Sequence, residues 1–248
     1  MTTLTAPLAA TDRYELVLAA GPGDVRAAQR LRFEVFNLEL HEGLPEAFTT
    51  GLDADEFDEI CDHLIVRERE THAVVGTYRL QTGRRAAANL GYYSAREFEF
   101  SPFEPVRDQL VELGRACVAA DHRNHNVLGL LWKGIARYAH THGARYLTGC
   151  SSLTTQDEAA ALATYRQLAG SCLVAPRWRT QPCDGWRCDT HGLDPEAIPV
   201  PRLLRAYLAL GAKICGEPAI DREFSTVDFL TWIDLEALPV AVLRRFLG

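Results

Sequence analysis

The sequence predicts a mixed α/β fold, with helices flanking a central sheet, and three observations carry that prediction. Short runs alternate apolar and polar residues at period two, while longer runs repeat apolar residues at helical spacing. The two kinds of run follow in the order β-α-β-β, then strand–helix–strand–helix, then a closing strand, which suits a mixed sheet rather than a fully wound parallel one. Hydrophobic residues make up 47% and charged residues 24% of 248, the balance of a globular chain with a sizeable core. The expected organisation is a loose N-terminus over residues 1–13 and a single domain over 14–248. That domain carries an insertion at about residues 177–199 and a C-terminal extension.

Tyr14 to Ala20 alternates as a strand and stops at Gly21-Pro22-Gly23. Asp24 to Leu40 follows as a helix, because Val25, Ala28, Leu31, Val35 and Leu38 recur at helical spacing. Glu42 to Glu59 is acidic and turn-rich, a loop. His63 to Arg69 and Ala73 to Gln81 pair as strands across the turn at Glu70-Thr71. Arg84 to Pro105 is irregular, with room for short elements. Gln109 to Val118 is an apolar strand interrupted by Glu112 and Arg115. Val127, Leu131, Ile135 and Tyr138 stripe a helix over Val127 to His142. Arg145 to Cys150 is a strand, and Thr155 to Leu168 a helix capped by Thr154 or Thr155 with Asp157 and Glu158 in its first turn. Val200 to Lys213 is helical, Val227 to Asp234 a strand and Leu238 to Leu247 a terminal helix.

The formal charge is −7, which argues against non-specific nucleic-acid binding, since phosphates need a basic field. An acidic protein partner would need a local basic patch. Met1 to Ala20 lacks a basic start and a continuous apolar run, which predicts no signal peptide. With 7 Cys in small or apolar surroundings, the expectation is a reducing, cytoplasmic setting. Cys183 and Cys188 bracket Asp-Gly-Trp-Arg and admit a bridge or a metal, but the spacing is no zinc knuckle, so no metal site is expected. No stretch is long and apolar enough to cross a bilayer, which leaves peripheral membrane association open.

The densest chemistry lies in Leu110-Val-Glu-Leu-Gly-Arg-Ala-Cys-Val118 and the following Asp121-His-Arg-Asn-His-Asn-Val-Leu128. A strand runs through a polar loop into a helix, whose N-terminal amides and dipole suit a phosphate, with Arg123 just before it. An ordinary strand–helix connection explains the same pattern. Glu112 and Arg115 interrupt a strand built for burial, where an unpaired charge is costly. Three residues apart they face opposite ways unless a bulge intervenes, and Gly114 is the natural place for one. They serve either chemistry or a structural ion pair. His63 reads as a packed strand residue, and Trp132 and Trp232 as core or as lining for an apolar tunnel. Arg202, Arg205 and Lys213, or Arg244 and Arg245, mark faces for an acidic partner or a lipid surface, or plain solvated helices.

Several segments together resemble the ornithine-lipid N-acyltransferases and related N-acyl amino acid synthases of the GNAT (N-acetyltransferase) superfamily, from about Tyr14 to Asp234. They are Leu31-Arg32-Phe33-Glu34-Val35-Phe36, Asp53 to Asp58 with Cys61-Asp62-His63-Leu64, and Gly76-Thr77-Tyr78-Arg79-Leu80. Glu112-Leu113-Gly114-Arg115, Leu131-Trp132-Lys133-Gly134-Ile135, Gly211 to Gly216 and Pro218 to Phe224 complete the set. Acyl-homoserine-lactone synthases share a related pattern, met here by Arg32 and Phe36, Asp55 and Asp58, Arg79, Glu112 and Arg115. Their tryptophan shortly after the phenylalanine has no counterpart, which favours the lipid enzymes.

The resemblance implies a GNAT fold and direct transfer of a fatty acyl group from a phosphopantetheine thioester to the α-amino group of an amino acid, with ornithine the leading acceptor. Glu112 would be the base, directly or through a water, and backbone N–H groups near Ala116 to Val118 would hold the oxyanion. Glu97 is the next carboxylate to consider. Arg32, Arg79 and Arg115 would bind a substrate carboxylate or hold the acidic loop, and Asp55, Asp58 and Asp62 a cationic side chain. The superfamily's phosphate loop carries glycines that Arg123-Asn-His-Asn126-Val-Leu128 lacks. Glycine lets the backbone wrap a diphosphate, so Val118, Arg123, Asn126 and Val127 are expected to hold the single phosphate of an acyl-carrier protein rather than coenzyme A. No cofactor is expected to be tightly bound. The remaining alternatives are a signal synthase acylating another amine and a carrier-binding protein without catalysis.

Overall fold

The computed structural model describes residues 7–189, 196–239 and 242. These residues form two compact units, one from residues 7–81 and 113–143, the other from 82–112, 144–189 and 196–239. Strand β5, Leu110–Val118, crosses from the second unit into the first after Glu112.

In the first unit β1 (Ala9–Ala10), β2 (Tyr14–Leu18), β3 (Asp62–Glu68) and β4 (Val74–Thr82) pair antiparallel in sequence order. The pairing of Ala9 with Leu16 starts the sheet earlier than the expected loose stretch allows. The register fits the alternation of the sequence: Leu16 lies opposite Val66 and Leu18 opposite Leu64. Helix α1, Pro22–Arg32, opens with proline at its N-terminus, where a missing N–H costs nothing. The expected helix to Leu40 then widens into a π-helix, Phe33–Glu39, in which Leu40 N–H donates to Val35 O. The acidic loop is not featureless: it holds α2 (Ala47–Thr50) and a 3₁₀ turn, Glu56–Glu59. Helix α4, His125–Thr141, buries Val127, Leu131, Ile135 and Tyr138 as its periodicity requires. The absence of a side chain at Gly134 lets it approach closely, since a Cβ there would lie 2.8 Å from Leu16 Cδ2 and 2.9 Å from Leu64 Cδ1.

The second unit opens with α3 (Gly83–Ala88) and two 3₁₀ turns, Tyr93–Arg96 and Ser101–Gln109. Its strands are the start of β5, β6 (Tyr146–Leu153), β7 (Lys213–Ile214), β8 (Ala219–Asp221) and β9 (Thr226–Asp234). Strand β6 runs parallel to β5 and antiparallel to β9, which also pairs with β7 and β8. The sheet is therefore mixed and mostly antiparallel, as the element order predicts. Helix α5, Glu158–Cys172, starts later than expected because Asp157, not a threonine, caps it by accepting from Ala160 N–H. Helix α6 is Arg202–Leu210. The expected terminal helix falls largely outside the described residues.

The core of the second unit is aromatic. Trp232 stacks on Phe103 at 5.0 Å and on both Tyr146 and Trp178 at 4.9 Å. Trp232 and Trp132 are both buried. Among the described residues no helix is long and apolar enough to cross a membrane.

Gly216 marks where this unit's irregular segment meets its short strands. A Cβ on Gly216 would stand 2.1 Å from the Thr180 carbonyl oxygen, and Thr180 N–H is itself bound to Cys215 O. Gly216→Ala is expected to destabilise the protein by about 1–3 kcal/mol through overpacking against backbone. An unchanged urea midpoint would show that this crossing can relax freely.

Candidate functional site

The first unit buries a network of arginines and aspartates. Arg32, at the end of α1, has no exposed surface. Its guanidinium reaches Asp58 Oδ1 at 2.9 Å and Oδ2 at 2.5 Å, Asp53 O at 2.5 Å, and Asp53 Oδ1 through Nε at 2.8 Å. Arg79 of β4 reaches Asp55 at 2.5 Å and Asp58 at 2.9 Å, and Gln29 donates to Asp58 at 2.9 Å. Asp55 also caps the Glu56–Glu59 turn by accepting from Phe57 N–H at 2.9 Å. Burial works to raise the Asp58 pKa, but Arg32, Arg79 and Gln29 overcome it and hold the carboxyl well below its usual range. Arg79 is held correspondingly high: burial opposes its charge, and Asp55 and Asp58 more than offset that.

Arg115 joins the network from β5. Its Nε donates to Asp53 Oδ1 at 3.1 Å, a second nitrogen pairs with Asp53 Oδ2, and its guanidinium lies 4.8 Å from the Phe36 ring centre. The backbone irregularity expected at Gly114 sits at Arg115 itself, with φ of 50°. A non-glycine residue is rarely held in this left-handed region without surrounding contacts to fix it.

Glu112, on the part of β5 in the second unit, is buried. Its two oxygens accept from Tyr93 N–H at 2.8 Å and Ser94 N–H at 2.7 Å. Glu112 thus grips the first amides of the Tyr93–Arg96 turn.

Two groups of expected site residues make contacts within the protein. Asp55 and Asp58, expected to meet a substrate cation, pair here with Arg79 and with Arg32 and Arg79 respectively. The expected phosphate site is also engaged internally. Asn124 caps α4 by accepting from Asn126 N–H at 3.0 Å and Val127 N–H at 3.1 Å. Arg123 binds both Glu39 oxygens, at 2.5 and 2.6 Å, and donates to Val118 O at 3.1 Å. The hydrogen bond from Arg123 lowers the Glu39 pKa against a small burial cost.

His63 is a packed strand residue, with Nε2 3.1 Å from Asp58 O and its pKa lowered by burial. Asp62 accepts from Tyr138 OH at 2.7 Å. Cys117 is buried, which pushes its thiol up to about 12 and suits it to packing rather than nucleophilic attack. Cys183 and Cys188 are free thiols on different carbonyls, those of Ala95 and Pro218.

Sequence reasoning missed two features. Asp53 joins Arg32 to Arg115, and its only sign was its place in the acidic run. Glu97, Cys150 and Asp228 bring two carboxyl groups and a thiol within 4.8 Å of one another, from places too far apart in sequence to announce it.

The acetyltransferase (GNAT) domain family matches residues 31–133, which hold every arginine and aspartate of the network together with Glu112 and Arg123. L-ornithine N(alpha)-acyltransferase of Rhodobacter capsulatus is 34% identical over 236 residues, 91% of each chain. That of Brucella abortus is 33% identical over 90% of this chain and 85% of its own. The chain belongs to the L-ornithine N(alpha)-acyltransferase family. The counterpart in Agrobacterium fabrum is 32% identical over 94% of this chain and 85% of its own. Among solved structures, FeeM, an N-acyl amino acid synthase from uncultured soil microbes, is similar with a TM-score of 0.56 and 12% identity, covering 92% of this chain and 95% of that one. The acyl-homoserine-lactone synthase LasI has a TM-score of 0.51 and 13% identity, covering 93% and 94%. At such identities these two likenesses speak for the fold of this acyltransferase family.

The network generates a stability prediction. Because the folded-state pKa of Asp58 is depressed, its contribution is present above the ordinary carboxylate value, about 3.9, and is lost as pH falls below it. Asp58→Asn leaves Arg32 and Arg79 without their shared counter-charge and is expected to cost about 3–5 kcal/mol at neutral pH. Urea titrations should also show a shallower loss of stability on acidification in the variant than in the wild type. A cost below about 1 kcal/mol would mean that the arginines find other partners.

Proposed function

We propose that the protein transfers a fatty acyl group from the phosphopantetheine thioester of an acyl-carrier protein to the α-amino group of ornithine. The observation that carries the acceptor is the identity of 32–34% with L-ornithine N(alpha)-acyltransferases over nine-tenths or more of this chain. On this reading residues 14–248 work as one catalytic domain, with the insertion near residues 177–199 belonging to it. Peripheral association with a membrane, where an acylated product would partition, is part of the same proposal.

Glu112 serves as the base. An α-ammonium must lose its proton before it can attack the thioester carbonyl, and a buried carboxylate oriented by two amides is a suitable acceptor, directly or through one water. Attack forms the C–N bond, and the carbonyl oxygen takes the negative charge. Backbone N–H groups of Ala116 to Val118, just past the left-handed Arg115, are the oxyanion donors. Collapse breaks the C–S bond, and the pantetheine thiolate leaves as the thiol with the second proton shed by the attacking nitrogen, which completes the amide. Arg115 binds the acceptor carboxylate, while Arg32, Arg79, Asp55 and Asp58 hold the acidic loop that supports it.

The choice of carrier protein over coenzyme A rests on the loop before α4. It has no glycine where a diphosphate would be wrapped, and Asn124 already caps two amides. A single phosphate bound by Arg123, displacing Glu39, with Val118, Asn126 and Val127 lining its place, is the arrangement it supports.

Incubating the protein with long-chain acyl-carrier protein and an amino acid mixture should give an acyl ornithine by mass spectrometry. The carrier-bound donor should exceed the matching acyl-coenzyme A in kcat/KM. Equal turnover of the coenzyme A ester would overturn the loop argument, and glycine or alanine as best acceptor would overturn ornithine.

Glu112→Gln keeps the shape but cannot accept the proton near neutrality. It is expected to lower kcat by about 10²–10⁴-fold, with partial recovery at high pH as more amine is already deprotonated. A folded variant with nearly full activity at neutral pH would remove Glu112 from the role of base.

A further inference from the structure

Glu97, Cys150 and Asp228 belong to none of the groups assigned above. Glu97 ends the Tyr93–Arg96 turn, its N–H donating to Ser94 O at 3.2 Å. Asp228 points from β9 and accepts from Thr226 Oγ1 at 3.1 Å. Cys150 of β6 lies opposite Leu230 and places its sulfur 3.6 Å from Glu97 Oε2. The two carboxyl groups are 2% and 5% exposed, and their oxygens lie within 4.8 Å of each other and of the thiol.

Among the described residues, no cation is among the groups that bear most on these acids. The titratable groups facing the cluster are Asp221 from β8, Glu112 from β5, Cys150 from β6 and Cys183 from the segment whose N–H binds Glu97 O. None of them is a cation. Two ionised carboxylates so placed would face both the burial penalty and mutual repulsion, whereas one proton between them removes a charge and supplies a hydrogen bond.

We propose that Glu97 and Asp228 share a buried proton, and that this proton holds in place the short turn whose first amides grip Glu112. The turn has a carboxyl at each end. Glu112 accepts from Tyr93 and Ser94 at its start, and Glu97 closes it against β9 at its finish. When the proton leaves to solvent, both acids carry charge, Glu97 is driven from Asp228, and the turn loses its second anchor. The pair is thus a pH-sensitive latch beside Glu112. Its catalytic consequence rests on the reading of Glu112 as base, whereas its effect on stability does not.

Burial first, then Asp228 and Asp221, raises the Glu97 pKa well above the ordinary value, and burial raises that of Asp228. A folded-state pKa raised above its unfolded value gives stability that is full below the ordinary carboxylate range and is lost as pH rises through the raised value. The window therefore opens near pH 4 and runs up through the raised values, about 6 for Asp228, opposite in sign to that of Asp58.

The test is the melting temperature of the full-length protein from about pH 5 to about pH 9, beside that of Asp228→Asn and Glu97→Gln, whose amides cannot ionise in this range. The wild type is expected to lose at least about 3–5 °C across the window, and each variant less. Infrared spectroscopy of the wild type should show a carboxylic-acid C=O stretch that disappears over the same range, which tests the proposal even if a variant fails to fold. A wild-type melting temperature that is flat or rises with pH, or no protonated carboxyl at the acid end, overturns it. Loss of the alkaline fall in the variants without any acyl product in the transfer assay would leave the latch standing and reject the proposed chemistry.

Discussion

A guanidinium with no access to water must find its hydrogen bonds and its counter-charge inside the protein, and Arg32 is in that position. Everything in the first unit that bears on the site is arranged around this requirement. The acidic loop folds back to present Asp53 and Asp58, its 3₁₀ turn is capped by Asp55, and β4 contributes Arg79 as a second cation. Arg115 completes a set of three arginines and three aspartates whose charges balance. Such a set is weak evidence for stability, since well-packed apolar residues often serve as well. Its use here is positional: each ion depends on the others, so Arg115 can be held in a left-handed backbone above Phe36.

Strand β5 carries two opposite electrostatic regimes within four residues. At Arg115, cations answer buried acids, and the carboxyl pKa of Asp58 is driven down. Within the second unit, Glu112 is met by backbone amides, and burial with a neighbouring carboxylate drives the pKa values of Glu97 and Asp228 up. Carboxylates of one chain thus titrate in different directions according to whether the group opposite is a guanidinium or another carboxylate. The fold is penalised at acid pH by one set and at higher pH by the other, a narrowing that follows from geometry alone.

The architecture was legible in the sequence wherever burial imposed a period. Val127, Leu131, Ile135 and Tyr138 mark α4, and the alternation of Leu16 and Leu18 marks β2, because a buried face repeats with the backbone. Boundaries set by single side chains were less legible. Asp157 outcompeted two threonines as cap of α5, and the π-helix after Arg32 keeps an apolar pattern that an α-helix would share. Glu112 and Arg115 stood out as charges in an apolar strand, but their partners could not be read. Which aspartate of an acidic run meets which arginine depends on the loop's path, and Glu97 meets Asp228 only through the pairing of strands distant in sequence.

The start of α4 shows how a recognised pattern can be engaged differently from its usual role. Amides at a helix N-terminus attract an anion, but Asn124 already satisfies those of Asn126 and Val127. What remains adjustable is Arg123. Its pair with Glu39 is 44% and 36% exposed, and a pair that wet is worth about 0–1 kcal/mol. A phosphate group carries more charge than a carboxylate and presents more acceptor oxygens to the same fork, so exchange at Arg123 is inexpensive. Glu39 is the last residue of the π-helix, and Phe36 in the same element lies under Arg115. Release of Glu39 by an incoming phosphate would therefore act on the element that supports Arg115. In the proposed reaction this gives a physical route by which binding of the donor bears on the acceptor's side of the site.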